Sequence, residues 1–240
     1  MMKKQLGSAL IIVLVILVLV TLIGTLAVRS GILGLKLATN SQVSALLLEN
    51  SDSALFNIEN PAEVERQLAL DGMFAYFNSA ANADDELVFC YRAAQNTFFS
   101  LANASAIQVA ADNSALSTTK IGVGGFCKAN QFAMGRSAVL SQVYLTKSST
   151  ASAPFSSVPK ATSIGQSNVP ATTNNIGATV ISVLPSFSDA SPTQIEECFK
   201  KPSNKYGSLQ TVGECFEGLN IPYNMQHSDY TVGGQPKLIS

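Results

Sequence analysis

The hydrophobic pattern of the chain begins with a run of 23 residues, Leu6 to Val28, that contains no charged side chain and consists mainly of Leu, Ile and Val. As a helix rising about 1.5 Å per residue, such a run is roughly 34 Å long, enough to cross a bilayer core of about 30 Å. A lone segment in lipid must satisfy its own backbone hydrogen bonds, which only a helix can do. The pattern therefore predicts a membrane-spanning helix.

The same helix is expected to continue well beyond the uncharged run. No proline occurs before Pro61, so one helix can extend from Ala9 to about Ile58. Residues 29–60 are predicted to be its amphipathic continuation, packed under a globular body formed by residues 61–240. Apolar residues at helical spacing mark the packed stripe: Val28, Ile32, Leu35, Val43, Leu46 and Ala54.

The pattern in the body changes from helical to β-rich. A second helix is predicted from Ala62 to about Tyr76, and strands follow it, separated by Gly, Ser, Asn and Pro. Between Thr146 and Asn175, 19 of the 30 residues are Ser, Thr, Asn, Gly or Pro, which predicts a long loop over 146–175. The order predicts an α+β fold, a long helix packed on an antiparallel sheet. The predicted strands are Glu86–Tyr91, Ala106–Ala110, Ser137–Thr146 and Ala178–Leu184.

Charge is scarce and unevenly distributed. Only 13% of residues are charged, and no acidic residue precedes Glu49. Lys3, Lys4, Arg29 and Lys36 carry +4, and the chain has a net charge of −1, so the remainder carries −5. An acidic body argues against direct binding of nucleic acid, because neutralising phosphates requires clustered Lys and Arg.

The four cysteines, Cys90, Cys127, Cys198 and Cys215, lack the Cys-x-x-Cys spacing of a zinc site. An even number of cysteines downstream of a membrane anchor predicts two disulfides in an oxidising compartment, and hence a body outside the inner membrane. Three connectivities are open, of which sequential pairing costs the least loop closure. That pairing would staple a C-terminal loop over 198–215.

Motifs for catalysis, cofactors or metals are weak. His227 is the only histidine, and Gln226-His227-Ser228-Asp229 would need spatial partners for Ser-His-Asp chemistry. Gly122-x-Gly124-Gly125 predicts a turn before Cys127 and not a dinucleotide site. Residues 84–86 lack the ligand spacing of an EF-hand, so they predict a solvated turn. We therefore expect no enzyme activity, no catalytic residue, no cofactor and no metal.

The N-terminal region carries a family resemblance. A short basic leader, Met1 to Gly7, directly precedes Ser8-Ala9-Leu10-Ile11-Ile12. Leu22-Ile23-Gly24-Thr25-Leu26-Ala27-Val28-Arg29-Ser30 then comes before Lys36-Leu37-Ala38-Thr39-Asn40. Over about the first 55 residues the chain resembles type IV minor pilins of the PilX type.

The resemblance implies a processing site, a location and partners. A prepilin peptidase would remove residues 1–7 by cutting between Gly7 and Ser8, with methylation of the new N-terminus. Residues 8–28 would be the transmembrane helix, with the body in the periplasm until the subunit joins a cell-surface pilus. Implied partners are other minor pilins, the major pilin and the inner-membrane pilus assembly machinery.

The resemblance also implies a position in the filament. Most pilins have Glu at the fifth mature position, where this chain has Ile12. PilX-type pilins and the GspK-like tip pseudopilin of type II secretion share this lack, which implies a tip or priming complex. The implied function is pilus assembly supporting twitching motility, adhesion or DNA uptake.

Two alternatives remain open, a GspK-like tip pseudopilin and a single-pass anchored periplasmic binding protein unrelated to filaments. In pilins the disulfide-bounded C-terminal region commonly forms a contact surface. A candidate contact loop here contains Lys200, Lys201, Lys205 and Tyr206, and an ordinary solvated loop is its alternative.

Overall fold

The computed structural model describes residues 8–95, 100–134, 138–148 and 173–233. Five helices and six strands lie within these ranges, together with short 3-10 helices at Pro61–Glu63, Ala80–Asn82, Leu101–Asn103 and Pro185–Phe187. The helices are α1 (Ser8–Glu59), α2 (Val64–Gln67), α3 (Met73–Tyr76), α4 (Pro192–Phe199) and α5 (Val212–Gly218). The strands are β1 (Glu86–Tyr91), β2 (Ala104–Val109), β3 (Leu116–Ser117), β4 (Leu140–Lys147), β5 (Thr173–Val183) and β6 (Tyr223–Gly233).

The chain divides into two units, Met1–Ala45 and Leu46–Ser240. The predicted long helix is confirmed, since α1 runs without interruption from Ser8 to Glu59. Within the first unit the large apolar side chains from Leu10 to Leu37 are exposed. By length and composition this helix could span a membrane.

The second unit is built on an antiparallel sheet with strand order β3-β2-β1-β4-β5-β6. β4 pairs with β5 from Leu140 opposite Val183 to Lys147 opposite Ile176. β5 pairs along its whole length with β6, from Thr173 opposite Gly233 to Val183 opposite Tyr223. A long apolar helix combined with an antiparallel sheet confirms the predicted α+β layout.

Both faces of the sheet are covered. Successive strand residues point to opposite faces, so Leu87 and Phe89 of β1 enter one core while Val88 enters another. The first core includes Ala54 and Ile58 of α1. The second core contains residues of α4 and α5, among them Phe199 and Phe216. Burial on both faces explains why residues 87–91 of β1 form a continuous apolar run and not an alternating one.

The surface of α1 that meets the sheet is partly polar. The buried Ser51 hydroxyl donates to Ser182 of β5 at 2.9 Å, and Ser182 in turn bonds Ser141 of β4 at 2.7 Å. Nearby, the Asn57 amide donates to the Tyr91 hydroxyl at 2.9 Å. The predicted apolar stripe is therefore only partly right. Val43 and Ala54 are buried and Leu46 is half-buried, whereas Val28, Ile32 and Leu35 are exposed.

The predicted continuous helix from Ala62 to Tyr76 is wrong, because the chain breaks between α2 and α3. Gly72 is extended there and forms an isolated β-bridge with Ser100. A Cβ at Gly72 would lie 2.4 Å from the Gln67 carbonyl oxygen. The close approach of two backbone segments, which only glycine permits, ends the helix.

The strand predictions are largely confirmed, with corrections at their ends. β1 matches its predicted bounds, and β2, β4 and β5 overlap theirs. The predicted loop over 146–175 is wrong at both ends, where residues 146–147 extend β4 and residues 173–175 begin β5. Residues 149–172 of that loop and Ser137 of the predicted strand lie outside the described residues. The sequence pattern missed β3, β6, α4 and α5.

Candidate functional site

The first feature with a bearing on function is the apolar surface of α1. Gly7 of the predicted cleavage site lies outside the described residues, and Ser8 is the first residue of the helix. Ile12 lies on α1 with 56% of its surface exposed. An exposed apolar surface of this extent is characteristic of a segment that lies in lipid or against other helices.

The second feature is a pair of disulfides that join Cys90 to Cys127 and Cys198 to Cys215, which is the sequential pairing. All of these cysteines lie at the second core, on the sheet face opposite α1. The second disulfide ties the end of α4 to the middle of α5. The predicted loop over 198–215 is thus closed by a disulfide, and it runs from the end of α4 to the first half of α5.

The candidate contact loop connects α4 to α5, and most of its positive charge is compensated. Lys200 Nζ lies 2.6 Å from Glu197 Oε1, and Lys205 Nζ lies 2.7 Å from Glu214 Oε1. Lys201, half-buried, has no carboxylate partner within the part of the chain that the structure describes. Exposed ion pairs such as Lys200–Glu197 each contribute about 1 kcal/mol or less to stability. They nevertheless lower the local positive charge, so the loop is not a strongly basic surface.

Glu86 anchors this loop to the sheet. Its side chain is fully buried, and its carboxylate accepts the Ser203 N–H at 2.7 Å and the Asn204 N–H at 3.1 Å. The Tyr206 side chain lies close to this carboxylate. Burial raises the pKa of Glu86 despite these hydrogen bonds, and burial together with the Glu86 charge raises the pKa of Tyr206. Glu86 therefore holds the loop in place through the backbone N–H groups of Ser203 and Asn204.

The predicted solvated turn over residues 84–86 is wrong at two of its three positions. Asp84 is exposed, but Asp85 is buried and Glu86 lies inside β1. The carboxylate of Asp85 binds the Lys120 ammonium and accepts the Tyr76 hydroxyl. Asp85 is paired with a cation and Glu86 accepts two backbone N–H groups, and these interactions offset the cost of burying the two acids.

A polar groove of about 330 Å³ contains the only histidine. His227 Nδ1 bonds Thr179 Oγ1 at 2.8 Å, and its Nε2 lies 3.6 Å from Asp229 Oδ1. Gly177 leaves room for the ring, since a Cβ there would lie 2.9 Å from His227 Cε1. Asp84, Lys147 and Tyr206 also line the groove.

The groove does not assemble a Ser-His-Asp triad from the Gln226–Asp229 motif. Ser228 is next to His227 on β6, so its side chain points to the opposite face of the sheet. Thr179 is 4% exposed and contacts Nδ1, whereas a triad holds its nucleophile at Nε2 and its carboxylate at Nδ1. The geometry describes a hydrogen-bonded cross-strand pair beside a polar groove.

Among the described residues, no group of three or more His, Cys, Asp or Glu side chains is placed to hold a metal ion. No protein-family model, curated protein or solved structure matches the chain. The features that bear on function are the apolar surface of α1, the disulfide-linked helices α4 and α5, and the polar groove that contains His227.

Proposed function

We propose that the protein is a minor pilin of the PilX type that takes part in type IV pilus assembly. The observation that carries the proposal is α1, a helix of 52 residues whose N-terminal part is apolar on all sides. Its last part, from Leu46 to Glu59, packs on an antiparallel sheet. A helix that is apolar on all sides can lie in lipid before assembly and pack among similar helices after assembly.

The proposed mechanism is lateral packing of helices. Before assembly α1 would hold the subunit in the inner membrane with its body in the periplasm, and after assembly it would lie in the filament core. The disulfides support the periplasmic placement, because disulfides persist in oxidising compartments.

Ile12 supports a place in a tip or priming complex. A carboxylate at this position would be costly in lipid unless it met a cationic partner. A subunit with Ile12 has no buried carboxylate and needs no cationic group from a neighbouring subunit. It can therefore occupy a filament position where no neighbour supplies such a group. Other minor pilins, the major pilin and the inner-membrane assembly machinery are the proposed partners.

Mass spectrometry of the mature N-terminus tests the proposal. Pilin processing gives a chain that begins at Ser8, and the variant Gly7→Val is expected to retain the leader. Gly24→Ala is the matched control, since a Cβ at Gly24 meets nothing within 4 Å. A wild-type chain with Met1 intact would contradict pilin processing and favour a plain anchor.

A deletion strain separates the filament types. Loss of surface pili, restored by the wild-type gene, is the expected result. A block in type II secretion with normal piliation would instead assign a GspK-like tip pseudopilin. Normal pili and normal secretion would leave an anchored periplasmic binding protein.

A further inference from the structure

A second groove, of about 880 Å³, lies beside the Cys90–Cys127 disulfide and shares no lining residue with the groove that contains His227. Its lining combines two cations with apolar and amide side chains. The cations are Arg92 and Lys128. The remaining lining residues are Ala93, Ala94, Asn130, Gln131, Phe132, Ala133 and Met134.

The charge of this groove is opposite to that of the body as a whole. Both charged lining residues are basic, and neither forms an ion pair with a carboxylate among the described residues. Arg92 Nε donates to Gln95 Oε1 at 3.1 Å, which leaves its terminal NH₂ groups without a partner in the same described ranges. The adjoining sequence segments 96–99 and 135–137 contain no Asp or Glu.

No carboxylate among the described residues forms an ion pair with Arg92 or Lys128. Glu196 reaches the same loop, but its Oε1 accepts the Ala129 N–H at 3.0 Å and it does not line the groove. Within the described residues, neither Arg92 nor Lys128 therefore has a carboxylate partner.

The Cys90–Cys127 disulfide links the two backbone segments that carry the cations. Arg92 follows Cys90 by two positions, and Lys128 follows Cys127 directly, so the Cys90–Cys127 bond ties both side chains to one framework. The Ala93 N–H donates to the Ala133 carbonyl at 3.0 Å and so joins two of the segments that line the groove. A groove built this way loses little conformational freedom when it binds.

We propose that this groove binds an acidic peptide segment of a partner protein, in which carboxylates flank an apolar side chain. Arg92 and Lys128 would contact the carboxylates, and Phe132 and Met134 would contact the apolar side chain. Charge-assisted hydrogen bonds from a guanidinium to a carboxylate are among the strong ones in proteins. A nucleic acid fits less well, because two cations neutralise few phosphates and a body of net charge −5 repels a polyanion.

The proposal does not depend on the pilin assignment and can be tested on the full chain in detergent. The probe is a fluorescein-labelled peptide, acetyl-GDLEG-amide, and its neutral counterpart is acetyl-GNLQG-amide. We expect the acidic peptide to bind with an affinity that falls as salt rises, and the neutral peptide not to bind. Lys128→Gln and Arg92→Gln should each weaken binding of the acidic peptide about tenfold.

Two further variants make the test specific. Lys128→Glu, at an exposed position that leaves the fold intact, should abolish binding of the acidic peptide. Lys201→Gln is the matched control, a lysine without a carboxylate partner in the described structure that lies outside the groove, and it should leave the affinity unchanged. Equal binding of the two peptides, no binding of either, or an equal loss in Lys201→Gln would overturn the proposal.

Discussion

Gly125 should be among the positions of the body least tolerant of substitution, although it lies in an irregular turn. A Cβ at Gly125 would lie 2.2 Å from Ser105 N, 2.3 Å from the Val88 carbonyl oxygen and 2.5 Å from the Ala104 carbonyl carbon. Non-bonded heavy atoms normally approach to about 3.5–4 Å. All three neighbours belong to the backbone of β1 and β2, so rotation of a side chain cannot relieve the clash.

The cost of Gly125→Ala follows from what must move. Displacing the turn breaks the hydrogen bond from the Gly125 N–H to Ser105 Oγ, 2.9 Å long. It also strains the one from the Cys127 N–H to Gln142 Oε1, 2.8 Å long. Two such bonds are worth about 1 kcal/mol each, and overpacking adds about 1–3 kcal/mol. The free energy of unfolding should therefore fall by about 3–5 kcal/mol.

Gly124→Ala is the matched control one residue away. A Cβ at Gly124 meets nothing within 4 Å, and its φ is not in the left-handed region. Alanine there reduces the freedom of the unfolded chain, so the variant should be unchanged or about 0.5 kcal/mol more stable.

Urea unfolding of the full chain in detergent, followed by tyrosine fluorescence, measures both variants. The sequence has no tryptophan, and the fully buried Tyr91 and Tyr144 report on the body. Quantifying free thiols would show whether the displaced turn also prevents the Cys90–Cys127 bond. Equal unfolding midpoints for Gly125→Ala and the wild type, or an equal loss in Gly124→Ala, would refute the packing argument.

Three further predictions concern the rest of the body. Ser182→Ala should cost about 2 kcal/mol of unfolding free energy, roughly twice the cost of Ser51→Ala, because Ser182 bonds two buried hydroxyls and Ser51 bonds one; equal costs in urea unfolding would contradict this. Replacing Cys198 and Cys215 by alanine should cost about 3 kcal/mol, as expected for a sequence separation of 17; an unchanged midpoint would contradict it. Burial raises the pKa of Glu86 above its ordinary 4.5, so the unfolded chain loses this proton first and stability falls as pH rises from about 4.5 through the folded pKa. Glu86→Gln should remove this part of the pH dependence, and an identical pH profile of unfolding would exclude the assignment.

The long helix and the central strands could be predicted because one strong signal determines each. In α1 that signal is the uncharged run followed by the absence of proline before Pro61. In β1 it is the run of five consecutive apolar residues at 87–91, which is apolar throughout because both faces of the sheet are covered. A strand that is buried on both faces of the sheet contains few polar residues, so its run of apolar residues is easy to recognise in the sequence.

The elements that were missed lack such a signal. β6 is an edge strand in which apolar and polar residues alternate from Tyr223 to Gln226. Its next three residues, 227–229, are all polar, so the alternation is too short to stand out. Helices α4 and α5 are eight and seven residues long, too short for a helical period to stand out. Each does begin with a capping box, Ser191 with Gln194 and Thr211 with Glu214, and that signal could have located both helices.

The candidate sites depend on contacts between distant parts of the chain. Glu86 meets Ser203 and Asn204 across 117 and 118 positions, and no local pattern predicts a carboxylate at the start of a buried strand. Arg92 and Lys128 are likewise unremarkable in sequence. They line one groove because a disulfide joins Cys90, two positions before Arg92, to Cys127, directly before Lys128.

The polar contacts between α1 and the sheet fix how the last part of the helix sits on the body. An entirely apolar helix surface could slide along an apolar sheet by a turn at little cost, because hydrophobic contact is not directional. Hydrogen bonds link the buried hydroxyls of Ser51, Ser182 and Ser141, and another joins Asn57 to Tyr91. These bonds allow only one register of α1 on the sheet, since any shift would leave buried hydroxyls unsatisfied. If α1 enters a filament core, as proposed, these hydrogen bonds determine which residues of the helix hold the sheet. The disulfides lie on the opposite face, so their loss should destabilise α4 and α5 before it changes this register.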